Sequence, residues 1–566
     1  MKNYITLFTL LIISSFAFAQ NTNKARLTHH MTAEEAANKH LIGKDFQATN
    51  PPTGEVRNIA EWESMEGVII AYTDYYGFGV PYNLIAQMSE DCVVTTIVSG
   101  LSQENTIRGY YTNNGVNLDN CNFLYAPVDS YWTRDYTAWY IAVDNSDVSV
   151  VDFPYNRPLR PNDDDMPIEI ANFLDIPLYG MDVIHTGGNY MTDGMGISVS
   201  TDLVWEEESQ TEEQINQKMH DYLGIETYHV VTDPMDDYID HVDCWGKFLD
   251  VDKILITQVP ESDYRYDDFE ATAAYFSEQN CSYGYPYQVF RVQAAAYGSE
   301  DVNPYTNSLI LNNKVFVPQT GSSYDDDAIA VYEEAMPGYE IIGMYAGTNS
   351  WENTDALHCR THGIADREML YIKHIPLFGD QFPTDGGYTV SAEIYSYGQN
   401  SLATGFPKLF YKVNDGDFEE IIMTETKSNN YQAVIPEQAE GDEIAYYIEV
   451  EDNNAKNETH PQAAEFDPHI FTVGANVSNI SENIMSEDFN IYPNPSNGHF
   501  FLWLDTEKNT EVDISINSLT GKNIYKNNII SDKNLHKIDI QIPQGVYNMT
   551  IITEKNKISK KLIITN

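Results

Sequence analysis

Basic residues are scarce in this sequence. The 566 residues include 32 Lys+Arg against 85 Asp+Glu, a formal charge of 32 − 85 = −53. A surface so poor in positive charge repels phosphate, which argues against nucleic acid or anionic membrane as a partner and favours cationic small molecules or peptides. Cysteine is scarce too. Five thiols in so long a chain make no disulfide framework, and the odd number leaves at least one unpaired. Beyond residues 1–19, no apolar run approaches the roughly 20 residues of a membrane-spanning helix. Neither HExxH nor paired CxxC occurs, so the usual zinc signatures are missing. Apolar material is ample: 42% hydrophobic and 12% aromatic residues exclude a disordered chain. At roughly 100–200 residues per domain the length predicts several domains.

The two ends carry address signals. Lys2, the apolar run 7–18 and Ala17-Phe18-Ala19 have the charge, length and small-x-small pattern of a secretory signal peptide, residues 1–19. Residues 20–51 follow as an N-terminal segment or propeptide. From about residue 489 the chain turns rich in Lys and Asn. It carries Tyr492-Pro493-Asn494-Pro495-Ser496-Asn497-Gly498, alternating strands at 500–504 and 512–516, and a basic end, Lys560-Lys561. This pattern predicts a small β-sandwich. It resembles the C-terminal sorting domain of the type IX secretion route of Bacteroidetes, which implies that secretion machinery as a partner. Export and release, or attachment at the outer membrane surface, would follow.

Between 52 and 377, strand-like runs alternate with helical stretches. Strands are expected at 67–72, 93–98, 139–143, 148–153, 228–231, 253–259, 308–311, 315–318 and 339–344, with helices at 81–90, 268–279 and 325–336. Thr211-Glu212-Glu213-Gln214 is a capping-box start for a helix to Leu223, ended by Gly224. The rhythm gives α/β or α+β and admits a ring of α/β modules. From 378 to 475 helices vanish. Alternating strands at 388–397, 408–413, 431–435 and 443–450 predict an immunoglobulin-like sandwich. A linker, 476–488, leads to the sorting domain, 489–566.

Four strings are more polar than a core tolerates: Trp132-Thr133-Arg134-Asp135, Thr186-Gly187-Gly188-Asn189, His241-Val242-Asp243-Cys244-Trp245 and Leu357-His358-Cys359-Arg360-Thr361-His362. Buried polar groups must be paired or must work. His241 and Asp243 alternate along what reads as an extended segment, which would aim both at one face. Three readings stand: a satisfied buried His–Asp pair, a zinc site of His241, Asp243, His358 and Cys359, or a nucleophilic Cys359 with His241 as proton shuttle and carboxylates for a cationic substrate.

Taken with Glu61–Glu63 and Tyr305-Thr306-Asn307, these strings resemble the guanidino-group modifying enzymes, in particular the agmatine deiminase and bacterial peptidylarginine deiminase branch. The resemblance implies a pseudo-fivefold α/β propeller. It implies Cys359 as nucleophile, His241 as general acid/base, Asp135 and Asp243 as guanidinium clamp, and Asn307 as a polar support. It implies arginine-containing peptides or proteins as substrates and no catalytic cofactor. The chemistry agrees: carboxylates accept the planar guanidinium fork bidentately and fix its plane for attack by sulfur.

Substrate choice rests on fewer residues. Arg157 and Arg160, in Asn156-Arg157-Pro158-Leu159-Arg160-Pro161, are either surface ion pairs or an anion site for a peptide carboxylate. A similar Asn-Arg-Pro element in the bacterial peptidylarginine deiminases implies a preference for C-terminal arginine; the arginine spacing here is one residue longer. Trp132 and Tyr238 are either core aromatics or walls of the substrate site. Asp163–Asp165 and Asp325–Asp327 admit a structural calcium or simple solvation. Two rivals remain: a deiminase of agmatine or free arginine, and a surface adhesin with an inactive propeller.

Overall fold

The computed structural model describes residues 28–474, apart from 75–76, 298–300, 348–349 and 384–385, and most of 489–564. The signal-peptide and linker expectations lie outside the described residues. The chain divides into two units, residues 1–475 and 476–566.

Five sheets of the first unit share one plan: an antiparallel pair, then a helix, then a parallel strand. In the first, His362–Ala365 pairs antiparallel with Met65–Thr73, and the parallel strands Val93–Val98 and Cys121–Tyr125 follow. The second joins Trp139–Val143, Asp147–Asp152 and Leu178–Gly180. The third joins Met191–Thr192, Ile197–Thr201 and Thr227–Val231. The fourth joins Gly246–Asp250, Lys253–Gln258 and Gln288–Gln293. The fifth joins Leu309–Leu311, Lys314–Gln319 and Glu340–Tyr345. The first module is completed by a strand from the far end of the region.

Local chemistry explains the helices. Glu212–Leu223 starts at Thr211, whose hydroxyl accepts from the Gln214 N–H while Gln214 returns to the Thr211 N–H. Such a cap contributes about 1 kcal/mol. The helix ends at Gly224, whose φ of 70° is left-handed, and buries Ile215, Met219, Tyr222 and Leu223, one helical face. Helices Tyr82–Asp91, Tyr266–Glu278 and Asp325–Ala335 lie where periodicity predicts them.

Residues 370–473 form two packed sheets around their own apolar core, with no α-helix among the described residues. Leu370–Lys373 belongs to this sandwich by its pairing with Gly387–Ser396. Ion pairs Lys456–Asp366 and Lys253–Asp467, and a 2.5 Å hydrogen bond from Ser64 to Glu458, join the sandwich to the five modules. The second unit has two antiparallel sheets around a separate core. Among the described residues, no helix is long and apolar enough to cross a membrane.

Candidate active site

Each module presents a single tight turn just before the first strand of its antiparallel pair, and the polar strings lie on these turns. Thr133–Tyr136 precedes Trp139, Gly187–Asn189 precedes Met191, Val242–Cys244 precedes Gly246, the turn at Asn307 precedes Leu309, and His358–Arg360 precedes His362. The expectation of an extended 241–243 segment is corrected here. The chain enters a 3₁₀ turn at Val242, so the two-residue alternation of a strand does not apply. His241 and Asp243 reach the site because the turn lies between modules.

Hydrogen bonds latch one turn to the next. Asn189 Oδ1 accepts from the N–H groups of Thr201 and Val242. Asn307 Oδ1 accepts from the N–H groups of His358 and Cys359, at 3.0 and 3.3 Å, while its Nδ2 lies 3.1 Å from Cys359 Sγ. Arg360 forks onto Asp355 at 2.6 and 2.7 Å and fixes the Cys359 turn from its other side. Gly188 allows the closest approach: a Cβ there would lie 2.6 Å from His241 Nδ1 and 2.8 Å from Asp135 Oδ1.

Cys359, His241, Asp135, Asp243 and Asn307 are all fully buried. Cys359 Sγ lies 3.5 Å from Asp243 Oδ2. Burial raises the thiol's pKa well above its ordinary value, and the carboxylates of Asp243, Asp135 and Asp355 push the same way. His241 Nδ1 is 3.8 Å from Asp135 Oδ1, and neither ring nitrogen has a hydrogen-bond partner among the described residues. Burial lowers the His241 pKa to about 4 against the opposing pull of Asp135 and Asp243. The resting pair is therefore a neutral imidazole and a neutral thiol. All five cysteines are free and buried.

Two side chains that the motifs contained complete the support: Glu61, to which no role was attached, and His358, read only as a candidate zinc ligand. His358 lies between carboxylates, with Nδ1 2.8 Å from Asp243 Oδ2 and Nε2 2.8 Å from Glu61 Oε2. Glu61 also accepts from Lys247 and from the Ile310 N–H. Burial would raise the Glu61 pKa, but Lys247, His358 and Arg134 hold it well below the carboxylate range. The chain of contacts Lys247–Glu61–His358–Asp243 orients the carboxylate beside the sulfur. Removing one charged acceptor of such a network costs about 1.5–3 kcal/mol, so Glu61→Gln is expected to lower kcat about 10–100-fold. KM should hold and Glu61→Asp should recover part of the rate. Steady-state kinetics on a folded variant checks this, and an unchanged kcat would remove Glu61 from the site.

The substrate-side predictions also converge. Arg157 and Arg160 are buried rather than at the surface, Trp132 is buried, and Tyr238 is exposed with its hydroxyl 2.5 Å from Thr354. Sequence reasoning missed His29. Its Nε2 is 2.6 Å from Asp135 Oδ2, and its ring stacks on Trp132 with centroids 4.8 Å apart. The adjacent histidines 29 and 30 in a polar segment were the signal available. The groups able to hold a metal among the described residues are His29–Asp135–His241 and His29–Asp355–Cys359. In the acidic runs, Asp163 accepts from the Asp129 and Ser130 N–H groups, and Asp325 from those of Thr320 and Gly321.

Residues 57–364 match the family described as Porphyromonas-type peptidyl-arginine deiminase, and residues 490–565 match the secretion system C-terminal sorting domain. Curated proteins of Streptococcus mutans and Legionella pneumophila, each named "Putative agmatine deiminase", are 24% and 22% identical over 277 and 282 residues. The matches cover 41% and 46% of this chain and 73% and 77% of theirs. An X-ray structure of the same name has a TM-score of 0.50 at 19% identity, covering 56% of this chain and 99% of the other. Agmatine deiminase of Enterococcus faecalis has a TM-score of 0.49 at 20% identity, covering 56% of this chain and all of the other, 100%. The five-module region thus has structural neighbours of the pentein fold. The sorting domain marks the chain for secretion or the cell surface through type IX machinery.

Proposed function

Because the chain belongs to the Porphyromonas-type peptidyl-arginine deiminase family, we propose that it is a secreted hydrolase converting peptidyl-arginine to peptidyl-citrulline with release of ammonia. The observation that carries this reading is the convergence of one thiol, one unpartnered imidazole and two carboxylates in a single buried site.

The chemistry follows from the charges. Asp135 and Asp243 hold the guanidinium, and its positive charge favours the thiolate that the empty site opposes. His241, neutral at rest, takes the Cys359 proton. Sulfur attacks the guanidinium carbon. The tetrahedral adduct collapses, the C–N bond breaks, and His241 returns its proton to the leaving ammonia, leaving an S-alkylthiouronium. His241 then draws a proton from water, which attacks the same carbon. The C–S bond breaks, the thiolate regains its proton, and citrulline departs. The reaction draws on side chains and water and calls for no metal or organic cofactor; calcium at the acidic runs would be structural only.

Agmatine is the second reading, favoured by the names of the relatives. Arg157 and Arg160 favour peptides. Two buried guanidinium groups beside the site ask for anionic or carbonyl partners, and agmatine has no carboxylate to offer. Arg157→Ala is expected to raise KM for peptides ending in arginine about 10–100-fold relative to KM for agmatine, the cost of one charge-assisted hydrogen-bonded pair. Citrulline assays with peptides of C-terminal arginine, peptides of internal arginine, and agmatine decide this. Turnover of agmatine alone would end the peptidyl reading. We read residues 378–475 as an immunoglobulin-like spacer and residues 1–19 as the signal peptide that begins export.

A further inference from the structure

Asp135, Arg157, Arg160, Trp132 and Tyr238 are engaged by one short piece of this same chain. His29 is buried with both ring nitrogens facing acceptors: Nε2 meets the Asp135 carboxylate at 2.6 Å and Nδ1 the Thr354 carbonyl at 2.5 Å. Its ring lies nearly parallel to Trp132, at 14°, and comes within 4.8 Å of Cys359 Sγ. The His29 carbonyl accepts from Arg157 at 3.1 Å. The Thr28 carbonyl and the Glu35 carboxylate accept from Arg160, at 2.7 and 2.8 Å. His30 packs edge-on against Tyr238.

What holds this segment is unusual for a terminal helix. Ala33–Ala37 is capped by Thr32 and Glu35, yet the one side chain it buries is Glu35. Its alanines face outward. A helix retained for packing would bury an apolar face. This one buries a carboxylate against Arg160, and the irregular segment leading into it buries an imidazole against the Asp135 carboxylate. A flat ring with two opposed nitrogens, set between a carboxylate and a carbonyl and stacked on an indole, reproduces the planar shape and the partners of a guanidinium.

Resting on the assignment of this site to guanidinium chemistry, we propose that residues 28–46 are an internal substrate-mimicking inhibitor, with His29 in the guanidinium position, and that cutting or displacing this segment activates the enzyme. The tether maintains a local concentration on the order of millimolar, which a dilute substrate does not match. Lys39 and Lys44 are exposed and follow Glu35 directly, so a cut at either leaves the inhibitory stretch free to dissociate.

The test compares the full chain before and after limited digestion with a lysine-specific protease, together with uncut His29→Ala and Glu35→Gln. Two readouts are taken: the rate of iodoacetamide modification of Cys359, located by peptide mass, and citrulline release from a peptide ending in arginine and from agmatine. Cutting, and each substitution, is expected to speed Cys359 modification about tenfold or more, and a synthetic peptide of residues 28–44 should slow it again only near the millimolar range that the tether supplied. Equal modification rates in the uncut and cut chains and both variants would overturn the inhibitor. Faster modification without citrulline from either substrate would uphold the inhibitor and sink the deiminase reading instead. Should a variant fail to fold, the cut natural chain still decides.

Discussion

Cys359→Ala is expected to lower citrulline formation by on the order of 10⁴-fold or more while the fold persists, because in the proposed mechanism the attacking nucleophile and the leaving group of the second step are one atom, Cys359 Sγ. The substitution removes a sulfur whose neighbours are already satisfied. Asn307 retains the His358 and Cys359 N–H groups, and Asp243 retains His358. The unfolding midpoint should move little, and the variant should bind arginine peptides without turning them over. Acid-quenched mass spectrometry should find a covalent adduct on Cys359 in the natural enzyme and none in the variant. Both measurements belong on cut and uncut chains. Residual turnover above a hundredth of the natural rate would remove Cys359 from the mechanism. An adhesin built on an inactive ring would lose nothing it does.

Asp135→Asn is the second large effect. It keeps the shape of the side chain and deletes the charge that meets the cation. Losing one preorganised charged partner in a water-excluded site costs about 2.7–4 kcal/mol, a fall of about 10²–10³ in kcat/KM. The pH dependence of stability should change with it. Burial works to raise the Asp135 pKa, but His29, His241 and Arg157 overrule it and leave the carboxyl below the usual aspartate range. Its contribution to stability is therefore complete above the unfolded value of about 4 and is lost as pH falls through the lower folded value. Denaturant midpoints at pH 7 and pH 3 should fall further in the natural protein than in Asp135→Asn. Equal falls would mean that the charge is not held as the geometry implies.

The strands and helices of the five modules were largely legible in the sequence, while their fivefold arrangement came from the resemblance alone. Val93–Val98, Trp139–Val143 and Lys253–Gln258 fall where apolar runs predict them, and Glu212–Leu223 sits between the cap and the glycine that announce it. The helices Leu101–Asn113 and Met166–Leu174 were not individually specified. The first buries only Ile107 and Tyr111, too sparse a stripe to stand out. Cys359, His241, Asp135 and Asp243 were visible as polar types in apolar surroundings and Asn307 through the resemblance; these five are fully buried, Arg157, Arg160 and Trp132 are buried too, and Tyr238 is exposed. Their exact backbone was not visible: a one-turn 3₁₀ segment at Val242 leaves no period to read. Glu61 escaped a role, and His358 was read only as a candidate zinc ligand, because their work is done on each other and on Asp243. His29 escaped because its partners, Asp135 and Thr354, are separated from it by 106 and 325 positions, and the adjacent histidines, the one local signal, do not say what they meet.

The placement of one working turn before each module's leading strand has an outcome for how this protein fails. The sulfur, the imidazole, the two acids and the amide arrive from four different modules, and the first of these modules is itself completed only when the chain's distant stretches Met65–Thr73 and His362–Ala365 meet. No excised fragment inherits a weaker copy of the chemistry. Damage to any single module disarms the whole, so catalysis here should be lost stepwise with native molecules rather than dimmed within each one.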